Sequence, residues 1–161
     1  MSDPDCPNLV FAYGSNLDFE QMRSRCPSAR MAFQATLRQY RLGFTRESKK
    51  RGCGVAGLVR AASQVVWGVV YEISGEDLKT LDMHEGFDPS RTKNSYLRRV
   101  APVERAGNPH DLVDVFVYFD IPQPSPPPPN AEYKRLIVSG ARSWKLPDSY
   151  LAELDAIVTR D

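Results

Sequence analysis

Histidine is nearly absent from this sequence: its 161 residues include 2, His84 and His110, which stand 26 positions apart. Cysteine is almost as scarce, with Cys6, Cys26 and Cys53 dispersed and no C-x-x-C pair among them. A tetrahedral zinc site needs grouped nitrogen and sulfur ligands, so zinc is all but excluded. An odd number of scattered cysteines is no disulfide framework, and a reducing cytoplasm is the expected compartment. A charge excess of one sign is missing too. The 21 basic and 20 acidic side chains leave a net charge of +1, whereas nucleic-acid binders and binders of acidic membranes ordinarily carry a basic surplus. The longest apolar runs, such as Val65 to Tyr71, fall far short of the ~20 residues of a membrane span. Met1-Ser2-Asp3-Pro4-Asp5 has neither the basic nor the apolar region of a signal peptide. No glycine-rich phosphate loop of the G-x-x-x-x-G-K-[ST] or G-x-G-x-x-G kind occurs, so nucleotide cofactors have no support. Neither metal nor cofactor is expected.

What remains is an ordinary globular composition in a chain long enough for one core. Area scaling gives a folded surface of roughly 8,000 Å² against about 26,000 Å² for the extended chain, and the length fits a single domain over residues 1–161. Proline is plentiful at 13, and six of these stand between Pro122 and Pro129.

Asn8 to Tyr13 reads as a buried strand ended by Gly14-Ser15-Asn16, with a short helix from Asp18 to about Arg25. Met31, Phe33, Ala35 and Leu37 alternate, then Tyr40, Leu42 and Phe44 continue on the other parity, which predicts a turn or bulge near Arg38-Gln39. Arg46 to Gly54 reads as a polar loop. Val55 to Arg60 and Val65 to Ile73 read as two strands joined by Ala61-Ala62-Ser63-Gln64. Ser74, with Asp77 three residues on, predicts a helix start. Strands follow at Tyr96 to Glu104 and Leu112 to Phe119. Ile121 to Pro129 reads as an extended polyproline segment. Two closing helices, Ala131 to about Arg142 and Asp148 to Thr159, carry the stripes Leu136, Ile137, Gly140, Ala141, Trp144 and Leu151, Leu154, Val158. Trp67 and Trp144 read as core. The fold class is α+β, a small mixed β-barrel or strongly curved sheet with flanking helices.

Two places could hold chemistry. Leu78, Leu81, Asp82 and Glu85 share one helical face, and Gly86 follows as a C′ residue. Burial and the negative end of the helix dipole would both raise the pKa of the Glu85 carboxyl, toward a group that takes and gives a proton near neutrality. The alternative is a surface acid at a frayed helix end. The second place is Tyr13-Gly14-Ser15-Asn16-Leu17, a strand running into a turn and a helix. It could aim consecutive N–H groups at an oxyanion or carboxylate, or be a tight turn in which Asn16 caps the helix. Ser15 is a weak nucleophile candidate, because no G-x-S-x-G elbow or histidine base accompanies it. Arg46-Glu-Ser-Lys-Lys-Arg51 could touch phosphate, but such clusters are ordinarily solvated. Gly52-Cys53-Gly54 reads as flexible loop, with an exposed thiol as the alternative.

Taken together, Phe11-Ala-Tyr-Gly-Ser-Asn-Leu17, Val66-Trp-Gly-Val-Val-Tyr71 and Leu81-Asp-x-x-Glu85-Gly86 resemble the γ-glutamylcyclotransferase-like family. Tyr133-Lys-x-x-Ile137, Gly140-Ala141 and Leu146-Pro147-x-x-Tyr150 continue the likeness in the family's order. The resemblance implies a barrel with one pocket, no cofactor, and cleavage of a γ-glutamyl amide by the substrate's own α-amine, giving 5-oxoproline and the free amine. It implies Glu85 as acid and base, backbone N–H groups of the Tyr13 to Leu17 loop on the glutamyl end, and Tyr118 and Tyr133 beside the substrate. The substrate is then a small γ-glutamyl amine or amino acid, handled by a monomer or homodimer. Removal of a γ-glutamyl protecting group from a larger biosynthetic product, and a non-catalytic binding module, are the alternatives. A further one is an interaction protein that presents an exposed, mobile Pro-rich run to aromatic grooves. Arg46 to Gly54 and Phe87 to Arg91 depart from the family pattern, and both are expected at the pocket mouth.

Overall fold

The structure, a computed structural model, describes residues 8–160; Cys6 and the segment Met1 to Asp5 lie outside it. Five strands close a mixed barrel in the order β1-β3-β2-β4-β5: β1 Asn8–Ala12, β2 Arg30–Ser48, β3 Cys53–Ile73, β4 Tyr96–Arg105 and β5 Leu112–Asp120. Neighbours are antiparallel except where β1 closes the barrel beside β5 in parallel, with Val10 opposite Phe116. Val66, Val69, Val103, Val115 and Val117 are buried almost without exposure. Four helices surround it: α1 Phe19–Arg25, α2 Gly75–His84, α3 Ala131–Ser143 and α4 Asp148–Asp155.

The β2–β3 hairpin dominates the architecture. Its strands run 19 and 21 residues, at about 3.3 Å per residue far longer than the barrel wall needs. Bulges bend it. At the parity switch, Gln39 adopts φ 71, and four residues, Ala61 to Gln64, face it alone between the pairs Arg38–Val65 and Tyr40–Arg60. Those four residues are therefore a wide bulge, and the chain does not reverse as the reading of two joined strands requires. The polar loop also shrinks: β2 persists to Ser48 and β3 resumes at Cys53, leaving only a four-residue turn closed by Gly52 N–H donating to the Ser48 carbonyl at 2.8 Å. Cys53 and Cys26 are both buried, so neither offers an exposed thiol. β2 pairs with β4 only through Ala35 and Thr36 and then departs from the barrel, carrying the hairpin turn across one end of it.

The proline run is neither strand nor helix, but it is fixed. Gly54 N–H donates to the Pro128 carbonyl at 3.0 Å, and Gln123 N–H donates to the Thr45 carbonyl at 2.8 Å. A Cβ on Gly54 would overlap the Pro127 carbonyl. A strap held this way is not the mobile run an interaction module requires. It ends at Asn130, whose Oδ1 accepts from Tyr133 N–H at 2.8 Å and caps α3, while Nδ2 donates to the Arg51 carbonyl at 3.3 Å. α4 stops at Asp155, three residues short of Val158, which is 77% exposed rather than part of its apolar stripe. Trp67 and Trp144 are only partly buried against the core.

α2 is built as its sequence predicts at both ends. Ser74 Oγ accepts from Asp77 N–H at 3.1 Å. Beyond Glu85, Gly86 sits at φ +64; its N–H donates to the Met83 carbonyl at 3.1 Å and Phe87 N–H donates to the Asp82 carbonyl at 2.9 Å. These two bonds form a Schellman motif, which needs a left-handed residue between them. Gly86→Ala is expected to destabilise the fold by about 1–2 kcal/mol, the cost of a Cβ in that conformation, because the new carbon would also press on Ser95 at 3.0–3.1 Å. Urea denaturation of the variant checks this, and an unchanged midpoint contradicts the motif.

Candidate functional site

A cavity of about 510 Å³ opens between the barrel end, the first turn, the end of α2 and the β2–β3 turn. Tyr13, Gly14, Ser15, Asn16, Glu85, Tyr118 and Tyr133 all line it, so the residues singled out from the sequence converge. Leu17 is the exception. Its side chain is fully buried, and its N–H donates to the Gly14 carbonyl at 3.0 Å inside the 3-10 turn Ser15–Leu17. The N–H groups of Ser15 and Asn16 lead that turn and, by position, have no acceptor within it.

Asn16 does not cap α1. Asp18 does, its carboxylate accepting from Gln21 N–H at 3.0 Å. Asn16 instead reaches across the cavity, and its Nδ2 donates to Glu85 Oε1 at 3.1 Å. Its own Oδ1 accepts from Gln21 Nε2 at 3.0 Å and from Arg25 Nη1 at 3.1 Å. Gln21 also donates to Ser15 Oγ at 2.8 Å and accepts from Arg51 Nη2 at 2.8 Å. No histidine bonds Ser15, which leaves its hydroxyl a member of this network without a base. Gln21 and Arg25 escaped the sequence reading, although their i, i+4 spacing on α1 puts them on one face.

The turn is held from outside the cavity as well. Tyr71 OH donates to the Asn16 carbonyl at 2.8 Å, and Trp144 Nε1 donates to the Leu17 carbonyl at 2.9 Å. Gly140 lets α3 lie against the Leu17–Asp18 backbone, where any Cβ would collide. Phe19, Tyr71 and Trp144 pack their rings at 5.6–6.2 Å around this junction.

Glu85 is half-buried, and loss of water raises its carboxyl above the ordinary 4.5; Arg25, the Asn16 bond and Arg51 oppose the rise, and Asp82 adds to it. Oε1 is engaged by Asn16, while the other oxygen has no partner among the described residues. The surrounding phenols stay neutral at physiological pH. Burial raises Tyr13, Tyr96 and Tyr118, and pushes Tyr133 up to about 12. Three of them spend their protons on the protein: Tyr13 on the Tyr118 carbonyl at 2.6 Å, Tyr96 on the Ala56 carbonyl at 2.5 Å, Tyr118 on Asp82 Oδ1 at 2.6 Å. Arg98 completes that last group with a 2.6 Å ion pair to Asp82. The Tyr133 hydroxyl accepts from Ala56 N–H at 3.0 Å, and its ring lies 4.9 Å beneath the Arg51 guanidinium.

Arg46 to Arg51 line the cavity rather than standing free in solvent. Phe87 to Arg91 do not reach it: Asp88 folds that segment on itself, accepting from Ser90 N–H and Oγ at 2.9 and 2.7 Å.

A turn whose Asn16 side chain bonds a carboxyl of raised pKa, at one end of a small closed barrel, can move protons on a compact polar substrate. The gamma-glutamyl cyclotransferase, AIG2-like family matches residues 10–145. Human gamma-glutamylcyclotransferase is 32% identical over 157 residues, covering 95% of this chain and 80% of the human one, and the bovine protein is 28% identical with the same coverage. A solved gamma-glutamyl cyclotransferase structure superposes with a TM-score of 0.87 at 29% identity, covering 97% of this chain and 90% of that one. The chain belongs to this family, and it is an enzyme of the γ-glutamylcyclotransferase type.

A carboxyl held above its ordinary value binds its proton more tightly in the folded chain than in the unfolded one. Its stabilising effect is complete below about pH 4.5 and fades as pH rises through the folded-state value. Glu85→Gln keeps the acceptor for Asn16 and removes the buried charge. Its melting temperature should exceed that of the wild type at pH 7 and converge with it near pH 4. Thermal unfolding across that range checks the sign, and a constant difference contradicts it.

Proposed function

We propose that the enzyme cleaves a γ-glutamyl amide by intramolecular attack of the substrate's α-amine on its γ-carbonyl, releasing 5-oxoproline and the free amine. The observation that carries this reading is the Asn16–Glu85 hydrogen bond, which fixes one carboxyl oxygen at a cavity that Ser15 and Asn16 of the turn also line.

The α-amine enters as an ammonium and must lose a proton before it can attack. Glu85 takes that proton. The new N–C bond closes a five-membered ring, and the γ-carbonyl oxygen becomes an oxyanion facing the Ser15 and Asn16 N–H groups. Over the whole reaction two protons leave the α-nitrogen and two arrive at the departing nitrogen as the C–N bond breaks. The sequence is therefore proton-neutral, and one carboxyl cycling between its two forms can carry it. A raised pKa suits both duties, since the same group must be a base at one moment and an acid at the next. The protein supplies no nucleophile; its task is to bend the glutamyl chain into a near-attack shape. Tyr118, held by Asp82, and Tyr133, pinned under Arg51, wall the cavity for that purpose.

The test is 5-oxoproline release from a panel of γ-glutamyl amides. Glu85→Gln should lose about 10²-fold or more in kcat, and turnover like the wild type's would overturn the mechanism. Asn16→Ala removes a bond that lowers the Glu85 carboxyl, so the acid limb of its pH–kcat/KM profile should move to higher pH. A limb that stays in place, or moves the other way, contradicts the role given to Asn16.

A further inference from the structure

The cavity carries more positive charge than a γ-glutamyl group can use. Arg25, Arg46, Lys49, Lys50 and Arg51 line it, against Glu47 and Glu85 as its only acidic side chains among the described residues. Among the described residues, none of the five cations is ion-paired to a protein carboxylate. The glutamyl half of a substrate brings one α-ammonium and one α-carboxylate, which cancel. Arg25 and Arg51 are the cations that act on Glu85 itself, and both are tied into the Asn16–Gln21 network. That leaves Arg46, Lys49 and Lys50 on the hairpin, with Glu47 as the acidic side chain beside them: an excess of two positive charges on the part of the lining that the hairpin supplies.

The strand that leads into these cations is held in position. The Arg46 guanidinium donates to the Ile121 carbonyl, a neutral acceptor that leaves its charge uncompensated. Glu47 N–H donates to Gln123 Oε1 at 2.7 Å. With Gly54, on β3, bonded to the Pro128 carbonyl, the proline strap holds both strands that flank the turn. His84, at the end of α2, lines the same cavity as the hairpin turn, and burial, then Arg25 and Lys50, hold its imidazole below the ordinary value. A cleft of one charge sign concentrates ligands of the other, and a fixed turn converts that attraction into selection.

Resting on the proposed reaction, we infer that the amine released by this enzyme carries two negative charges, recognised by Arg46, Lys49 and Lys50 on the hairpin. The chemistry is that of an amine bearing either two carboxylates or one phosphate. Because the contacts lie away from the reacting bond, they act equally on ground and transition state and appear mainly in KM.

The experiment compares kcat/KM for γ-glutamylglutamate, γ-glutamylglutamine, γ-glutamylbutylamine and γ-glutamylphosphoethanolamine. Two, one and no negative charges on the departing amine should rank in that order, with about fivefold between steps at low ionic strength, the upper end for exposed ion contacts. The spread should narrow as salt is added. Which dianion is better distinguishes carboxylates from phosphate, and preference for either over the glutamine amide supports the proposal. The double variant Lys49→Gln/Lys50→Gln should compress the ranking, while Lys49→Arg/Lys50→Arg should retain it. Equal kcat/KM across amides that are all turned over, or a ranking that survives the glutamine variant, overturns the charge selection and leaves the cyclisation intact. Absence of 5-oxoproline from every amide strikes the cyclisation itself.

Discussion

One hydrogen bond organises this molecule: Asn16 Nδ2 to Glu85 Oε1, joining groups 69 residues apart. For it to form, the first turn and the end of α2 must both be placed to within a fraction of an ångström, and most of the conspicuous features serve that placement. Gly140, Tyr71 and Trp144 fix the turn from behind. Gly86 ends α2 with its last side chain directed at the cavity. Asp82, one turn earlier, ties the same helix to β5 through Tyr118 and to β4 through Arg98. A half-buried, partly desolvated carboxyl costs stability, and these surrounding contacts offset it.

Electrostatics divides the cavity into two ends. Near the turn, neutral phenols line the cavity with Glu85, and Arg25, the Asn16 bond and Arg51 keep its rise in check. Toward the hairpin the lining is cationic. A substrate lying along the cavity would therefore experience hydrogen-bond geometry at one end and charge at the other, which is how precise chemistry and selective binding can coexist in about 510 Å³.

Much of this was legible in the residues. The parity switch at Arg38-Gln39, the Ser74 cap and the glycine after Glu85 are local signals, and each produces the local geometry it implies. Glu85 was legible because helical spacing fixes a direction. Of the two alternatives for the turn, the one in which Asn16 caps the helix fails, because residue type reveals a donor and an acceptor but not a partner on another element. Ala61 to Gln64 had the composition of a turn; a bulge uses the same small and polar residues, and only the register across Gln39 separates the two. The cationic hairpin was placed at the pocket mouth by its departure from the family pattern and not by its composition, because nothing in Arg46 to Arg51 discloses a strap from residues 121–130 lying against it.

That strap has a consequence for the protein's behaviour among its neighbours. Where β2 and β3 leave the barrel, their outer backbone groups would invite a strand from another molecule. The segment lying on them has six prolines between Pro122 and Pro129, and proline has no N–H to offer onward. It satisfies Gly54 and Thr45 on its inner side and presents a surface on which no further ladder can grow. A long hairpin that would otherwise be a nucleus for self-association is thereby sealed by the least sheet-compatible sequence in the chain.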